Sequence, residues 1–254
     1  MKVSIITVCY NSKEFIQHAI DSVLDQTYSN IEYIIIDGNS TDGTVDIIKS
    51  YGDKITKFVS ERDNGIYDAM NKGILLSTGD VLAILNSDDF YTSSNVINNI
   101  VECFQKYNPD GVYGDLDVVF RYNTKRIKRN YLADKFTTRS LKFGIMPGHA
   151  TIFLKRDLFF RLGMYKLNYP ISADFELLVR YIIKGKIKLH YLPQKVLKAR
   201  TGGVSDNNII SKIKISKEIK RACYENGLKT SMLKINLRIL IKLALLLKAK
   251  VKRL

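Results

Sequence analysis

The sequence predicts an α/β domain with a mostly parallel sheet flanked by helices. Its 254 residues can bury a substantial core, and the 46% apolar fraction is ordinary for a folded protein, which excludes disordered and fibrous classes. In the first 90 residues, short β-rich runs alternate with apolar residues at helical spacing. This alternation is typical of right-handed βαβ units, which build parallel sheets.

The elements of the first half follow this alternation in order. Residues 3–8 form a β-rich run, and apolar residues at helical spacing follow over 15–24, with Asn11 as a candidate N-cap and Glu14 three residues later. Residues 31–36 are apolar almost throughout, as expected for a strand covered on both faces. The remaining predicted elements are a helix from about 44, a strand at 58–59, a helix over 66–74 and a strand over 81–85.

Beyond residue 108 the predicted strands are short and joined by tight turns, one of them at Asn123-Thr124. The predicted elements are strands at 111–115, 117–122, 126–131 and 151–154, a loop at 144–150 and a helix over 175–184. No internal repeat or low-complexity linker separates them. We therefore expect one domain over residues 1–206 and a basic, amphipathic helical extension over residues 207–254.

Charge is divided unevenly along the chain, whose formal net charge is +15. Residues 1–120 contain 8 Lys and Arg against 18 Asp and Glu, whereas residues 121–254 contain 32 against 7. This division indicates an acidic half that can hold a cation and a basic half that faces anions. It argues against a nucleic-acid partner, although the pI of about 9.6 keeps a nucleic-acid-binding module as an alternative.

The last residues are strongly basic. Residues 228–254 carry eight Lys and Arg and no acidic residue, and Lys234, Arg238 and Lys242 share one helical face. This pattern predicts a helix on an anionic membrane surface; the alternative is a helix packed on the domain or on a partner. Because no signal peptide or run of about 18 apolar residues is present, we expect a cytoplasmic protein, peripheral on the inner face of the cytoplasmic membrane.

Cysteine usage fits that location. The three cysteines, Cys9, Cys103 and Cys223, are odd in number and far apart, so they predict neither a disulfide framework nor a CxxC metal site. A reducing compartment is consistent with this usage.

Acidic residues follow two of the predicted strands. Asp88 and Asp89 come directly after a buried strand, and oxygen ligands of this kind suit Mg²⁺ or Mn²⁺ shared with substrate phosphates. The alternative is a turn or a helix cap. Asp37 ends the second strand and could accept hydrogen bonds from a ribose or base, or could simply be a turn residue.

Two further residues are candidates for chemistry in the second half. Asp174 precedes an amphipathic helix, so it is either an N-cap or a general base. His149 could contact an acceptor or a phosphate, although a lone histidine is more often structural.

Four segments taken together resemble the family 2 glycosyltransferases, which have the Rossmann-like GT-A fold. These segments are residues 3–12, Asp37 with 39–44, the run 63–73, and 79–89. The resemblance spans roughly residues 1–206 and is dense in the first 90. It implies an inverting hexosyltransferase that uses a divalent metal, Mn²⁺ or Mg²⁺, and a nucleotide-sugar donor, usually a UDP-sugar.

The same resemblance implies roles for individual residues. The family's DXD motif falls on Asn86-Ser87-Asp88, where Asn86 replaces the first acidic residue, so Asp88, with Asp89 beside it, would hold the metal. Asp174 falls where the family's ED motif places the catalytic base, with Ala173 in place of the Glu. His149 would contact the acceptor or a phosphate. The residues implied at the donor are Val8, Tyr10, Asp37, Asp63, Asn86, Ser87 and Asp88.

The implied acceptor is a glycan or a lipid-linked molecule in cell-surface polysaccharide or lipid-linked glycan biosynthesis. Within enzymes, a nucleotidyltransferase of similar fold is the alternative. Such an enzyme would usually carry a Gly-rich, basic phosphate loop near its N-terminus, and this sequence has none.

Overall fold

The protein is built on one mixed sheet. The computed structural model describes residues 1–202 and 209–237, and nine strands in this part form a single sheet. The strands are β1 (Val3–Cys9), β2 (Ile31–Asp37), β3 (Lys57–Ser60), β4 (Val81–Asn86), β5 (Phe90–Tyr91), β6 (Gly111–Phe120), β7 (Asn123–Tyr131), β8 (Ile152–Lys155) and β9 (Leu189–Arg200). Their order across the sheet is β3-β2-β1-β4-β8-β6-β9-β5, and β7 pairs with β6.

Helices cover the sheet on both faces. They are α1 (Ile16–Leu24), α2 (Thr44–Ser50), α3 (Ile66–Leu76), α4 (Val96–Tyr107), α5 (Asp157–Arg161), α6 (Ala173–Ile183) and α7 (Ile209–Glu225). Residues 232–237 are also helical, and 3-10 turns occur at Gly52–Lys54, Thr138–Phe143 and His149–Thr151. No helix of the described part is long and apolar enough to cross a membrane.

The predicted parallel arrangement of the first half is confirmed. β1 pairs in parallel with β2 and β4, and β2 pairs in parallel with β3. Successive residues of β1 enter different cores: Ile5 packs with residues of α1 and α4, whereas Ile6 packs with residues of α3 and α6. Because both faces of the strand are covered, apolar residues occupy both faces, and its two polar residues, Ser4 and Thr7, are fully buried.

The second half differs from its prediction in several places. β6 is one strand of ten residues, although the sequence suggests a break after 115, and its hairpin turn lies at 121–122 rather than at Asn123-Thr124. The polar residues that suggest a break, Asp115 and Asp117, are buried but hydrogen-bonded, Asp115 to Tyr191 and Asp117 to Lys195. β9 was not predicted.

Asn11 is not the cap of α1, which corrects that prediction. The residue before the helix is Phe15, and no side chain caps the first turn. Asn11 has a φ of 48°, a left-handed conformation that Asn tolerates better than most residues. Its side-chain oxygen accepts a hydrogen bond from the backbone N–H of Thr41 instead (3.0 Å). Asn11 therefore shapes a loop rather than a helix end.

The C-terminal part contributes to the core. On α7, Ile219, Ala222 and Cys223 are buried in the same hydrophobic cluster as residues of α6. The boundary expected between residues 206 and 207, and the basic residues 238–254, lie outside the described residues. The predicted helical character of the chain after residue 208 is confirmed over 209–225 and 232–237.

Gly73 allows α3 to lie close against the sheet. A Cβ atom at this position would be 2.3 Å from Cγ2 of Ile6 and 3.4 Å from Cγ1 of Ile36. Both neighbours are fully buried, so neither has free space into which it could move. The spacing between α3 and the first two strands therefore depends on a residue without a side chain.

We expect Gly73→Ala to lower the free energy of unfolding by about 1–3 kcal/mol, because overpacking outweighs the roughly 1 kcal/mol that Ala gains in helix propensity. Urea denaturation measures this difference. Leu75→Ala, at an exposed position of the same helix, serves as the control and should change the unfolding free energy by less than about 0.5 kcal/mol. A stabilised Gly73→Ala protein would contradict the close contact.

Candidate active site

The loops that follow β1 and β2 are joined by hydrogen bonds. The backbone N–H of Asn11 donates to Oγ of Ser40 (2.7 Å), and the N–H of Ser12 donates to Oγ1 of Thr44 (2.8 Å). The β1–β2 register pairs Cys9 with Asp37, so both strands end at the same level. These contacts bring the two loops together along one edge of the sheet.

The loop that follows β4 joins this edge. The hydroxyl groups of Ser12 and Ser87 are 2.8 Å apart, and the β1–β4 register pairs Val8 with Asn86. We call residues 10–13, 37–44 and 86–89 the strand-end loops. In a sheet of this kind, ligands bind beyond the carboxyl ends of the strands, and this is the edge that the strand-end loops occupy.

Asp37 is used inside the protein. It is fully buried, and its carboxylate accepts hydrogen bonds from the N–H of Ser40 (2.9 Å), Oγ of Ser40 (2.5 Å) and Oγ of Ser60 (2.7 Å). The thiol of Cys9 lies 3.5 Å from the same carboxylate. Asp37 therefore ties the loop after β2 to the end of β3.

A more accessible group of side chains surrounds Gly38. The carboxylate of Asp63 is 2.6 Å, and the ring of Tyr10 is 3.4 Å, from the place where a Cβ of residue 38 would be. Tyr10 is 65% exposed and Asp63 is half-buried. An aromatic ring and a carboxylate thus flank a short stretch of open backbone, an arrangement that could stack on and hydrogen-bond to a planar polar ring.

Asp89 points into the protein. Only 5% of its surface is exposed, and its carboxylate accepts hydrogen bonds from Nδ2 of Asn86 (2.9 Å) and from the backbone N–H of Arg200 (3.2 Å). Burial and the neighbouring Asp88 carboxylate raise the pKa of Asp89. Asp89 and Asn86 together close the turn after β4 and fasten it to the end of β9.

Asp88 is half-buried and lies beside two guanidinium groups. Arg200 donates a hydrogen bond to the backbone carbonyl of Asp88, and the guanidinium groups of Arg121 and Arg200 lie 4.3 and 5.0 Å from the ring centre of Phe15. Burial raises the pKa of Asp88, and the charges of Arg121 and Arg200 partly offset this effect. The site thus combines one accessible carboxylate with two cations.

A second group of polar side chains surrounds Asp174. We call Tyr67, His149, Tyr165 and Asp174 the Asp174 cluster. His149, Tyr165 and Asp174 line one cavity of about 20 Å³, which is room for a single water molecule. Nε2 of His149 is 2.7 Å from the hydroxyl of Tyr165, and burial lowers the pKa of His149, which favours the neutral imidazole.

Tyr67 is the member of this cluster that lies on α3. Its hydroxyl donates to the carbonyl of Ile171 (2.6 Å) and lies 3.4 Å from Oδ1 of Asp174. Ile84, two residues before Asn86 on β4, lines the same cavity as Asp174. The cavity therefore lies beside β4, and one residue of that strand separates Ile84 from Asn86, where the third strand-end loop begins.

The site residues expected from the sequence lie partly at the strand-end loops and partly in the Asp174 cluster. The side chain of Val8 is buried in the core, Ser87 bonds to Ser12, and Asp174 is the second residue of α6 rather than its cap, which is Ser172. Sequence reasoning missed Tyr67, Arg121, Tyr165 and Arg200. Tyr67 lies within the segment 63–73 that carries the resemblance, but Arg200 ends a strand that was not predicted.

A metal at this site would have few ligands from the protein. Within residues 1–202 and 209–237 no group of three or more His, Cys, Asp and Glu side chains is arranged to hold a metal ion. In the turn after β4, Asp88 is the partly exposed carboxylate, and a site with so few protein ligands suits a cation that takes most of its ligands from substrate phosphates and water.

The sequence is similar to a known protein family. The sequence model of glycosyl transferase family 2 matches residues 4–162. A "PGL/p-HBAD biosynthesis glycosyltransferase" of Mycobacterium bovis is 30% identical over 213 residues, covering 82% of this chain and 80% of the relative.

Two solved structures show the same fold. The crystal structure of residues 1–349 of S. aureus TarS in complex with UDP-GlcNAc has a TM-score of 0.71 at 15% identity, covering 90% of this chain and 68% of the other. The mannosyltransferase PcManGT from Pyrobaculum calidifontis, in complex with GDP-Man and Mn²⁺, has a TM-score of 0.64 at 17% identity, covering 88% and 63%. The fold is that of the GT-A glycosyltransferases, and the chain belongs to glycosyltransferase family 2.

Proposed function

We propose that this enzyme transfers a sugar from a UDP-sugar to an acceptor hydroxyl with inversion at the anomeric carbon, and that the reaction depends on a divalent metal. The observation that carries this proposal is the placement of two carboxylates. Asp88 lies beside Arg121 and Arg200. Asp174 lines a cavity that is also lined by Ile84, two residues before the end of β4. One can serve the leaving diphosphate and the other the acceptor.

The nucleoside would bind at Tyr10, Gly38 and Asp63. Tyr10 offers an exposed ring for stacking on the base, and Asp63 offers a carboxylate for the N–H of uracil or for a ribose hydroxyl. Asp37 would act by holding the loop 38–44, because its carboxylate already accepts hydrogen bonds from Ser40 and Ser60. Val8 would contribute through its backbone only.

The diphosphate would lie between Asp88 and the two arginines. Asp88 would hold Mn²⁺ or Mg²⁺, and Asp89 with Asn86 would keep the turn in place. The bound metal supplies charge neutralisation to the leaving diphosphate. Arg121 and Arg200 would add positive charge next to the diphosphate. The guanidinium group of Arg200 also contacts the backbone carbonyl of Asp88 and the ring nitrogen Nδ1 of His18.

Asp174 would act as the general base. It would take the proton of the acceptor hydroxyl while that oxygen attacks the anomeric carbon from the face opposite the diphosphate. The bond from the anomeric carbon to the diphosphate oxygen breaks as the new glycosidic bond forms, so the configuration inverts. Tyr67 and His149 would orient the acceptor, since both remain neutral hydrogen-bonding groups next to Asp174.

The acceptor would be a glycan or lipid-linked molecule at an anionic membrane surface, in cell-surface polysaccharide or lipid-linked glycan biosynthesis. The basic second half supports this. Within the described residues, Lys125, Arg126 and Lys128 of β7 are exposed and are not within ion-pair distance of a carboxylate. The expected peripheral membrane contact belongs to the basic segment 228–254, of which residues 238–254 lie outside the described part.

We expect UDP or a UDP-sugar to raise the melting temperature of the protein, and Mn²⁺ to increase this effect. Saturation to about 100 times Kd adds about 2.7 kcal/mol of stability. A thermal-shift panel of UDP, UDP-GlcNAc and GDP-Man, each with and without Mn²⁺, measures it. Asp88→Asn should lose the increment due to Mn²⁺, whereas Asp53→Asn, at an exposed carboxylate between α2 and β3, should keep it. No response to any nucleotide would contradict the proposal.

We expect Asp174→Asn to lower the rate of UDP release at least about 100-fold, because the amide cannot accept a proton. Stabilisation by UDP and Mn²⁺ should stay within error of the wild type. The assay is UDP release from the UDP-sugar that stabilises the wild type, with water as the acceptor. Asp157→Asn, at an exposed carboxylate of α5, is the control. Release by Asp174→Asn at the wild-type rate would exclude Asp174 as the base.

A further inference from the structure

Glu218 of α7 binds the start of the helix that carries Asp174. Its Oε2 accepts hydrogen bonds from the backbone N–H groups of Ile171 (3.1 Å) and Ser172 (2.8 Å). Ser172 is the residue immediately before α6, so these groups belong to the end where a helix leaves N–H groups without partners. A carboxylate is favoured there by the helix dipole as well as by the hydrogen bonds.

The same short segment is held from its other side. The hydroxyl of Tyr67 on α3 donates to the carbonyl of Ile171 (2.6 Å). The segment 171–172 thus lies between a hydroxyl donor from α3 and a carboxylate acceptor from α7. Asp174 follows two residues later, in the first turn of α6, so the position of its carboxylate depends on how this segment is held.

Glu218 is itself firmly placed. It is 6% exposed, and the next residue, Ile219, packs in the same core cluster as α6. Farther along the chain, Nδ2 of Asn226 donates to Oε1 of Glu176 on α6 (3.2 Å), so α7 and the residue that follows it contact α6 at more than one level. The other oxygen of Glu218, Oε1, is buried and has no hydrogen-bond partner within residues 1–202 and 209–237. Leaving this oxygen unpaired costs free energy, and the two hydrogen bonds at Oε2 offset part of that cost.

We propose that Glu218 is a positioning residue for the catalytic base: it holds the backbone at 171–172 so that Asp174 faces the acceptor. This proposal rests on the proposed function. It also gives α7 a role in catalysis, through the position of Asp174, although α7 lies beyond the part of the chain that the family model matches. A misplacement of about 1 Å at a reacting group can cost about 100-fold in rate, which gives this contact a measurable effect.

Three variants separate positioning from simple attachment of α7. Glu218→Leu removes both hydrogen bonds, and Glu218→Gln keeps one acceptor oxygen and loses the charge. Glu225→Gln is the matched control, because Glu225 lies on the same helix and pairs with Lys166 and Arg221 but does not contact 171–172. A structural loss alone would lower the melting temperature without changing the rate constant of the folded enzyme.

Two measurements are made on each full-length variant. Hydrogen–deuterium exchange follows the amides of residues 171–172, and steady-state kinetics follow UDP release from the UDP-sugar that stabilises the wild type. In Glu218→Leu we expect faster exchange at 171–172 and a kcat about 10- to 100-fold below that of the wild type, with KM for the donor unchanged within about twofold. Glu218→Gln should recover most of the kcat, and Glu225→Gln should match the wild type in both measurements.

The remaining outcomes are also decisive. Unchanged exchange at 171–172 in Glu218→Leu would overturn the contact, and faster exchange with an unchanged kcat would overturn the positioning role. An equal loss of kcat in Glu225→Gln would show that α7 only stabilises the fold. A wild-type protein that neither binds nor turns over nucleotide sugars would overturn the proposed function. An active wild type with an unimpaired Glu218→Leu variant would instead overturn only the role of Glu218.

Discussion

The parallel pairing of β1 with both β2 and β4 is the constraint on which the site depends. Its register places Cys9 beside Asp37 and Val8 beside Asn86, so the three strands end at one level. Their loops then have to share one edge of the sheet, and they meet there through backbone and hydroxyl hydrogen bonds. Residues separated by 75 positions in the chain, Ser12 and Ser87, become direct neighbours.

Hydrogen bonding then divides the acidic residues of this region into two kinds. Asp37 and Asp89 are buried, and their carboxylates accept hydrogen bonds from inside the protein. Burial of a carboxylate without such partners would cost several kcal/mol, so these two residues stabilise the loops. Asp42, Asp63 and Asp88 remain partly exposed, so a ligand can reach their carboxylates.

In the second half of the chain, Asp174 lies in the first turn of α6, and residues of α3 and α7 bind the segment just before it. Asp174 is 107 residues from Tyr67, yet the Tyr67 hydroxyl on α3 lies 3.4 Å from its carboxylate and donates to the carbonyl of Ile171. Glu218 of α7 accepts hydrogen bonds from the N–H groups of both residues that lead into α6, Ile171 and Ser172. The cavity beside Asp174 is lined by Leu82 and Ile84 of β4. The sheet thus connects the two carboxylates, and the helices orient one of them.

Local patterns in the sequence determined the α/β class, the strand–helix order of the first 90 residues and the acidic residues that follow two of the strands, Asp37 and Asp88. Each of these follows from periodicity or from a motif within a short window, and such patterns can be recognised without knowledge of the rest of the chain. The family resemblance depended on the same local segments. β9 was missed because Lys195, Lys198 and Arg200 interrupt its apolar residues.

Only the tertiary structure decided which of two adjacent aspartates is accessible and which residues support Asp174. The motif favours Asp88 over Asp89, but only the folded chain shows that the Asp89 side chain turns inward to meet Asn86 and the backbone of Arg200. Burial and hydrogen-bond partners are set by segments that pack together from distant parts of the chain. No local pattern records them, which is why Arg200 and Glu218 became visible only once the chain was folded.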